Sequence, residues 1–239
     1  MTTSGLSSFN LDLSELCEEA FERCGREMRT GYDLRTARRS LNLLTIEWAN
    51  RGINLWTIEQ GSIPMVTGQS TYNLPVDTID LLDTVIRTGT GQNQTDINIS
   101  RISESTYSTI PNKNAQGRPI QVWINRQSGA DYPVTGVNNP KIVVWPTPNA
   151  PGDQYTFVYW RLRRIQDSGT GVSTQDIPFR FLTCMVAGLA FYLASKLPEM
   201  MPDRILFLKS EYEQQFQLAA DEDREKASIR FVPRNSFYY

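Results

Sequence analysis

Helical periodicity occupies both ends of this chain and is absent from its middle. Apolar residues recur at spacings of three and four over residues 12–29, and again after Asp33, which we expect to cap a second helix. From Gly61 to about Ile165, turn residues separate short runs rich in β-branched and aromatic residues. The helical pattern returns at Asp176, a further expected cap. The two patterns predict helical segments that flank a β-rich insertion.

The insertion has the pattern of a layered β structure. Short runs bounded by Gly, Pro and Asn predict strands at residues 82–87, 97–102, 120–125, 142–145 and 155–161. A single helical turn is expected within residues 103–110. In the last strand, bulky residues occupy both alternating positions, so both of its faces must be covered. Such cover is expected of a sandwich or of an assembled sheet.

The C-terminal pattern completes the predicted fold. Residues 180–196 form an apolar stretch shorter than the roughly 20 residues of a membrane span, so we expect a buried core helix there. Another helix is expected over residues 202–227, with the charged run 221–226 projecting into solvent. We predict an α+β fold: a helical bundle from the N- and C-terminal segments, a central, mainly antiparallel β-sandwich or barrel-like insertion, and an extended C-terminal tail. The expected parts are residues 1–60 (helical), 61–166 (β-rich), 167–228 (helical) and 229–239 (tail).

The composition removes several classes of chemistry. The 239 residues include no histidine, which excludes Ser-His-Asp and Cys-His nucleophile arrangements and imidazole metal sites. A net charge of −2 provides no basic field for holding nucleic acid. The Gly-rich segments lack the Lys-Ser/Thr of a P-loop and the third glycine of a dinucleotide fingerprint. We therefore expect no cofactor and no metal ion.

The three cysteines, Cys17, Cys24 and Cys184, lie among apolar neighbours. Cys17 and Cys24 are two helical turns apart, about 10.5 Å along the axis, which is too far for a disulfide. We expect buried free thiols and folding in a reducing compartment. The first ten residues have neither the basic nor the apolar region of a signal peptide.

Carboxylate pairs are the remaining acid–base device, because glycoside cleavage uses two carboxyl groups about 5–10 Å apart. The candidates on the first helix are Glu15, Glu18, Glu19 and Glu22. Their spacing places them on its polar face, where a solvated surface also explains them. A second acidic group, Asp77, Asp80 and Asp83, does not follow a known calcium-loop spacing, and turn or cap roles fit it. We assign no catalytic residue.

Arginine makes up most of the 24 basic residues. Its planar guanidinium forms bidentate contacts and is enriched in protein interfaces. We expect the two arginine clusters to form salt-bridged surfaces or subunit contacts. The candidates for subunit contacts are Arg35, Arg38, Arg39, Arg161, Arg163 and Arg164.

The tail, residues 229–239, is rich in aromatic residues and arginine. It is too short to form a core, and an aromatic segment loose in water would promote aggregation. We expect it to dock on its own chain, on a neighbouring copy or on another protein. The docking candidates are Arg230, Phe231, Arg234, Phe237, Tyr238 and Tyr239.

Several motifs occur in an order that resembles one family of phage proteins. The first reads Ala37-Arg-Arg-Ser-Leu-Asn-Leu-Leu-Thr-Ile-Glu-Trp48, and the second reads Gly68-Gln-Ser-Thr-Tyr-Asn-Leu-Pro75. A strand that ends in Trp145-Pro-Thr-Pro148 and the segment from Tyr155 complete the order. Over residues 12–225 the chain resembles bacteriophage head-to-tail connector or adaptor proteins. The motifs look like those of the tail tubular protein A or portal-binding neck adaptor type of short-tailed phages.

The resemblance implies a structural virion protein with no catalytic residues. Such adaptors form a ring, typically a dodecamer, that binds below the portal, continues the DNA channel and provides the platform for the tail or nozzle. The implied partners are further copies of the chain, the portal protein, the downstream tail or nozzle protein, and genomic DNA that passes without sequence recognition; no membrane is involved. The implied location is the neck or tail of the virion, after assembly in the bacterial host cytoplasm. The tail segment is then expected to dock on the portal or on a neighbouring copy.

A second function stays open at this point. The alternative is a tail-associated peptidoglycan or polysaccharide hydrolase that uses a carboxylate pair. The glutamates of the first helix and the aromatic-rich strands motivate it.

Overall fold

The computed structural model describes residues 5–6, 8–52, 55–126, 139–151 and 154–223. Its helices are α1 (Leu13–Arg23), α2 (Gly31–Asn50), α3 (Glu104–Ser108), α4 (Leu182–Ala194) and α5 (Pro202–Glu222). Its strands are β1 (Ile58–Pro64), β2 (Thr71–Asn73), β3 (Thr78–Thr88), β4 (Thr95–Asn98), β5 (Ser100–Ile102), β6 (Gln116–Gly117), β7 (Gln121–Asn125), β8 (Lys141–Trp145), β9 (Thr147–Pro148) and β10 (Tyr155–Arg163). The mixture of helices and mainly antiparallel strands confirms the predicted α+β class.

The chain divides into two compact units. The helical unit comprises Met1–Leu55 and Ser168–Tyr239, and the β unit comprises Trp56–Asp167. The helical unit therefore draws on both ends of the chain, and the β unit lies between them in sequence.

The helix α4 is the centre of the helical unit. It has no charged side chain, and ten of its 13 residues are buried. A helix that is apolar on all sides must be covered on all sides, and α1, α2 and α5 all pack against it. The bundle predicted from the two ends of the chain is thus confirmed, and residues 180–196 contain the expected core helix. None of the helices in the described ranges is both long and apolar enough to cross a membrane.

Large aromatic side chains fill the space between the helices. Trp48 of α2 is fully buried, and its ring centroid lies 5.5 Å from that of Phe181 and 6.3 Å from that of Phe216. Gly188 of α4 allows α2 and α5 to approach closely. A Cβ atom at this position would lie 2.9 Å from Cδ2 of Leu44 and 2.9 Å from Cε2 of Tyr212.

Capping boxes fix the N-termini of α1 and α2. Asp12 accepts a hydrogen bond from the backbone N–H of Glu15 at 2.8 Å, and the Glu15 carboxylate accepts one from Asp12 at 3.2 Å, as their spacing predicts. The prediction that Asp33 caps α2 was wrong, because Thr30 is the N-cap. Asp33 lies in the first turn instead, where its carboxylate accepts the backbone N–H of Thr30 at 3.1 Å. There it completes the box and interacts favourably with the helix dipole.

Other helix ends also differ from the sequence pattern. The helix α1 ends at Arg23, not near residue 29, because Gly25 takes a left-handed backbone conformation with φ of 75°. Asp176 does not cap α4, since a 3-10 turn at Phe179–Phe181, preceded by Pro178, comes between them. The charged run predicted at residues 221–226 does not project throughout, because Asp223 is buried and pairs with Arg180.

The β unit contains two four-stranded sheets that share one core. The first sheet has the order β1-β10-β3-β4 and is antiparallel, whereas the second, β2-β8-β7-β5, has one parallel pair, β5 with β7. A short parallel pair, β6 with β9, accompanies them. Ile86 and Phe157 from the first sheet and Val122 and Val144 from the second belong to a single buried cluster. This arrangement is the predicted, mainly antiparallel sandwich.

Several strands differ from the prediction, among them β2, β6 and β9, which were not predicted. The expected strand at residues 97–102 is divided between β4 and β5, which belong to different sheets, and Ile99 between them is buried in the core. The strand β1 was not predicted, because Gly61 and Pro64 interrupt its sequence. Gly61 lies opposite Tyr159 of β10, and a Cβ atom on Gly61 would lie 2.4 Å from the Tyr159 Cζ. The glycine therefore makes room for the tyrosine ring.

Gly188→Ala should destabilise the helical unit by about 1–3 kcal/mol, since the added methyl group overpacks the contact with Leu44 and Tyr212. Urea unfolding followed by circular dichroism measures the change. Gly31→Ala is the matched control, because no heavy atom lies within 4 Å of its added Cβ. Equal stability of the Gly188→Ala chain and wild type would contradict the close approach.

The three cysteines are buried and unpaired, as predicted. Burial raises the pKa of Cys17 and Cys184 from 9.0 to about 12, and that of Cys24 to about 11. The Cys24 thiol also donates a hydrogen bond to the Ala190 carbonyl at 3.2 Å.

These raised pKa values predict a loss of stability at alkaline pH. The native state retains protons that unfolded thiols release above about pH 9, so the contribution is complete below that pH and declines as pH rises toward 12. Urea unfolding between pH 7 and pH 11 measures this decline, and it should be smaller in Cys17→Ala. As an independent check, native thiols at pH 8 should react with a thiol reagent far more slowly than unfolded ones. Equal rates would contradict the burial.

Candidate functional site

A polar network joins α2, α4 and α5 at one side of the bundle. The Trp48 indole N–H donates to the Tyr212 hydroxyl at 3.0 Å, and the Tyr192 hydroxyl donates to Glu47 Oε2 at 2.6 Å. Tyr212 also lies 3.4 Å from the other Glu47 oxygen. Burial, followed by the hydrogen bond to Glu47, raises the pKa of Tyr192 to about 12. The network thus satisfies polar atoms that the helix contacts enclose.

Arg51 closes this network at the C-terminal end of α2. Its guanidinium donates to both carboxylate oxygens of Glu213, each at 2.8 Å, and also pairs with Glu47. Its Cζ atom lies 4.4 Å from the centroid of the Phe216 ring. Arg51 therefore fixes α5 to α2 by a bidentate ion pair and a cation–π contact.

The three predicted interface arginines of α2 have a different environment. Arg35, Arg38 and Arg39 are all exposed. None of the three forms an ion pair within the part of the chain that the structure describes. Arg39 lies near Lys196, whose pKa is lowered first by burial and then by the Arg39 charge. These guanidinium groups are available to a partner.

The second arginine cluster belongs to the β unit and is largely occupied by its own chain. Arg161 contacts Glu59 at 2.8 Å and Asp77 at 2.6 Å, and Arg163 contacts Glu59 at 2.6 Å. Both side chains are mostly buried. Arg164 is exposed. The two clusters belong to different units, and only part of the second presents a free guanidinium.

The glutamates of α1 line a surface groove of the helical unit. Glu15, Glu18, Glu19 and Glu22 share this groove, of about 390 Å³, with apolar residues that include Leu11 and Val186. Glu15 is engaged in the capping box, and Glu19 pairs with Arg23 at 3.0 Å. The groove is thus an acidic surface with an apolar floor.

Two of the three candidate aspartates of the β unit lie in ion pairs. Asp77 pairs with Arg161, and Asp80 pairs with Arg101 at 2.9 Å and with Arg126 at 3.1 Å. Asp83 is exposed. In the described ranges, no group of His, Cys, Asp and Glu side chains is arranged to hold a metal ion.

The two β-region motifs of the resemblance meet in the structure. The Tyr72 hydroxyl accepts a hydrogen bond from the Val66 backbone N–H at 2.9 Å and donates one to the Gln69 carbonyl at 2.9 Å. The Gly68 N–H donates to the Pro148 carbonyl at 2.9 Å, and Gly68 has φ of 80°. These residues hold a loop against the sandwich core, so their role is structural.

The predicted docking tail lies outside the described residues. Its candidates, Arg230, Phe231, Arg234, Phe237, Tyr238 and Tyr239, stay predictions.

Sequence reasoning missed a set of exposed apolar side chains in the helical unit. They are Tyr32, Leu43, Ile46, Leu206, Phe207 and Leu218. They lie on the sides of α2 and α5 opposite the buried stripes. A large apolar residue on the polar side of a predicted helix is the signal that could have identified them.

A family model described as SU10 adaptor protein matches residues 11–235. The chain belongs to the SU10 adaptor protein family. It is therefore a phage adaptor, a structural component of the virion that binds other phage proteins. The match shows the adaptor family and does not show the narrower tail tubular protein A type that the motifs resemble. No curated protein gives a significant match to the chain.

Tyr212→Phe should weaken the bundle of this SU10-family adaptor, because it removes the acceptor of the buried Trp48 N–H. The expected loss is about 1–3 kcal/mol, the usual cost of an unsatisfied buried polar group. The free energy of unfolding in urea tests it, with Tyr32→Phe as control because Tyr32 is exposed. An unchanged stability in Tyr212→Phe would show that the hydrogen bond contributes nothing.

Proposed function

We propose that this SU10-family adaptor is a head-to-tail connector that forms a ring below the portal. The ring, of about twelve copies by analogy with the resemblance stated above, continues the DNA channel and provides the platform for the tail or nozzle. The observation that carries the proposal is the family match over residues 11–235, which spans both structural units. The predicted order of motifs supports the same role.

The small negative net charge of the chain supports passage of DNA through the proposed ring. A basic channel would hold phosphates tightly at moderate salt, whereas this chain has a net charge of −2. DNA is then a transient partner that is not read for sequence. The proposed place of assembly is the host cytoplasm.

The two units are proposed to have different roles in the ring. The helical unit forms the ring body, and the β unit faces the tail. Arg35, Arg38, Arg39 and Arg164 are the proposed arginine contacts to neighbouring subunits, since their guanidinium groups are exposed. Arg161 and Arg163 act indirectly, by fixing β1 to β10 through Glu59.

The tail, residues 229–239, is proposed to dock on the portal or on a neighbouring copy. Deleting it should block attachment to portal-containing heads and leave the fold intact. Attachment is measured by co-sedimentation with heads, and the fold by the thermal melting curve. Normal attachment of a truncated chain that melts like wild type would refute the docking role.

The adaptor proposal also predicts how the state of the chain changes on assembly. Alone in solution it should sediment as a monomer of 27.2 kDa, and in particles it should be present in many copies. Analytical ultracentrifugation and quantitative mass spectrometry of particles measure the two states. A single copy per particle would contradict a ring.

The hydrolase alternative stays a prediction of the sequence, and Glu15, Glu18 and Glu22 remain its candidates.

A further inference from the structure

The outer surface of the helical unit carries two unlike faces that fit each other in chemistry. We propose that the outward face of α2 on one copy binds the outward face of α5 on the next copy. This contact rests on the ring proposed above and names the surfaces that close it.

The α2 face combines apolar and basic side chains. Its members are Tyr32, Arg35, Arg39, Leu43 and Ile46. At 100° per residue they lie on the side opposite the buried Ala37, Leu41 and Trp48. Tyr32 is 70% exposed, and Leu43 and Ile46 are each 49% exposed.

No carboxylate of α2 itself offsets the positive charge of this face. The two acidic residues of this helix are Asp33 and Glu47. Asp33 is bound in the capping box, and Glu47 is bound by Arg51 and Tyr192. The guanidinium groups of Arg35 and Arg39 therefore project from an apolar surface without local neutralisation.

The α5 face combines apolar and acidic side chains. Its members are Asp203, Leu206, Phe207, Leu218 and Asp221. They lie opposite the buried Leu208, Tyr212 and Phe216. Leu206 is 64% exposed, Phe207 is 56% exposed and Leu218 is 59% exposed.

The charge of α5 is opposite to that of the α2 face. The helix carries five acidic and two basic residues. Glu211 and Glu213 are paired with Arg23 and Arg51, and the acids of the face itself are Asp203 and Asp221. One of the bases, Arg204, lies beside the Phe207 ring, with its Cζ 5.3 Å from the centroid. Its guanidinium is engaged with α1, because it donates to the Arg23 carbonyl at 2.7 Å.

Single exposed apolar residues are common, but several on one helix face with charges beside them mark an interaction surface. Opposite charges on the two faces favour their pairing and fix its register. Pairing of two α2 faces would instead bring Arg35 and Arg39 of one copy against those of another.

The difference between the faces also dictates the symmetry of assembly. When α2 of one copy binds α5 of the next, each copy retains one free face for a further copy. Such a heterologous contact propagates and closes into a ring if the rotation allows. The α2–α5 contact therefore accounts for many copies with one kind of interface.

Cysteine cross-linking in particles tests this contact. Ile46→Cys and Phe207→Cys place thiols on the two faces, and the native cysteines are buried, so a short bismaleimide linker reports on the added thiols. The chain with both substitutions should give a ladder of covalent multimers. Each single variant should remain monomeric, and particles that contain a mixture of the two single variants should give dimers and nothing larger.

The Glu18→Cys/Glu199→Cys chain is the control, because both positions are exposed and lie outside the two faces; it should give no ladder. All variants should melt like wild type. Reversing charge on the α2 face, Arg35→Glu with Arg39→Glu, should reduce the ladder several-fold, and an unchanged yield would overturn the charge pairing.

Two other outcomes separate this contact from the ring itself. Particles that contain many copies but give no ladder would overturn the α2–α5 contact and leave the ring proposal standing. Dimers from a single-cysteine variant would show that like faces meet, which also overturns it. One copy per particle would contradict the ring and the contact together.

Discussion

The helical unit depends on the requirement that α4 be covered on every side. This helix has no charged side chain, and its apolar surface is stable in water only when other helices enclose it. The N-terminal segment supplies α1 and α2, and the segment after the β unit supplies α5. Gly188 allows α2 and α5 to approach α4 closely. The hydrogen-bond network around Glu47 and Arg51 satisfies the polar atoms where α2, α4 and α5 meet. The two ends of the chain are therefore joined by the burial of one helix.

This arrangement determines which surfaces remain for partners. The inner stripes of α2 and α5 are occupied by α4, so their outer stripes face away from the core with exposed apolar side chains and charges of opposite sign. In the β unit the equivalent arginines, Arg161 and Arg163, are engaged by Glu59 and stabilise the sheet. A structural adaptor needs both kinds of surface: inner contacts that stabilise its fold, and outer faces that bind other phage proteins.

The sequence predicted the elements better than it predicted their ends and pairings. The spacing of the apolar residues predicted α1, α2, α4 and α5. A helix buried on one side has apolar residues every three or four positions, and a helix buried on all sides is apolar throughout. Predicting the N-cap at Asp33 put the start of α2 three residues too late, since Thr30 is also a capping residue type and is the N-cap. The strand containing Gly61 escaped prediction, because its glycine is explained only by Tyr159 on a partner strand about 100 residues away in sequence. The pairing of Arg161 and Arg163 with Glu59 likewise depends on tertiary contacts, whereas the exposure of Arg35 and Arg39 follows from their helical positions.

The proposed function places copies of this SU10-family adaptor around the DNA path between head and tail. A cryo-electron microscopy reconstruction of the neck in intact particles tests it most directly. We predict a closed ring of copies coaxial with the portal, in which the helical bundle and the β-sandwich of each copy can be fitted. Density for the chain away from the portal axis, or as an isolated copy at the neck, would contradict it.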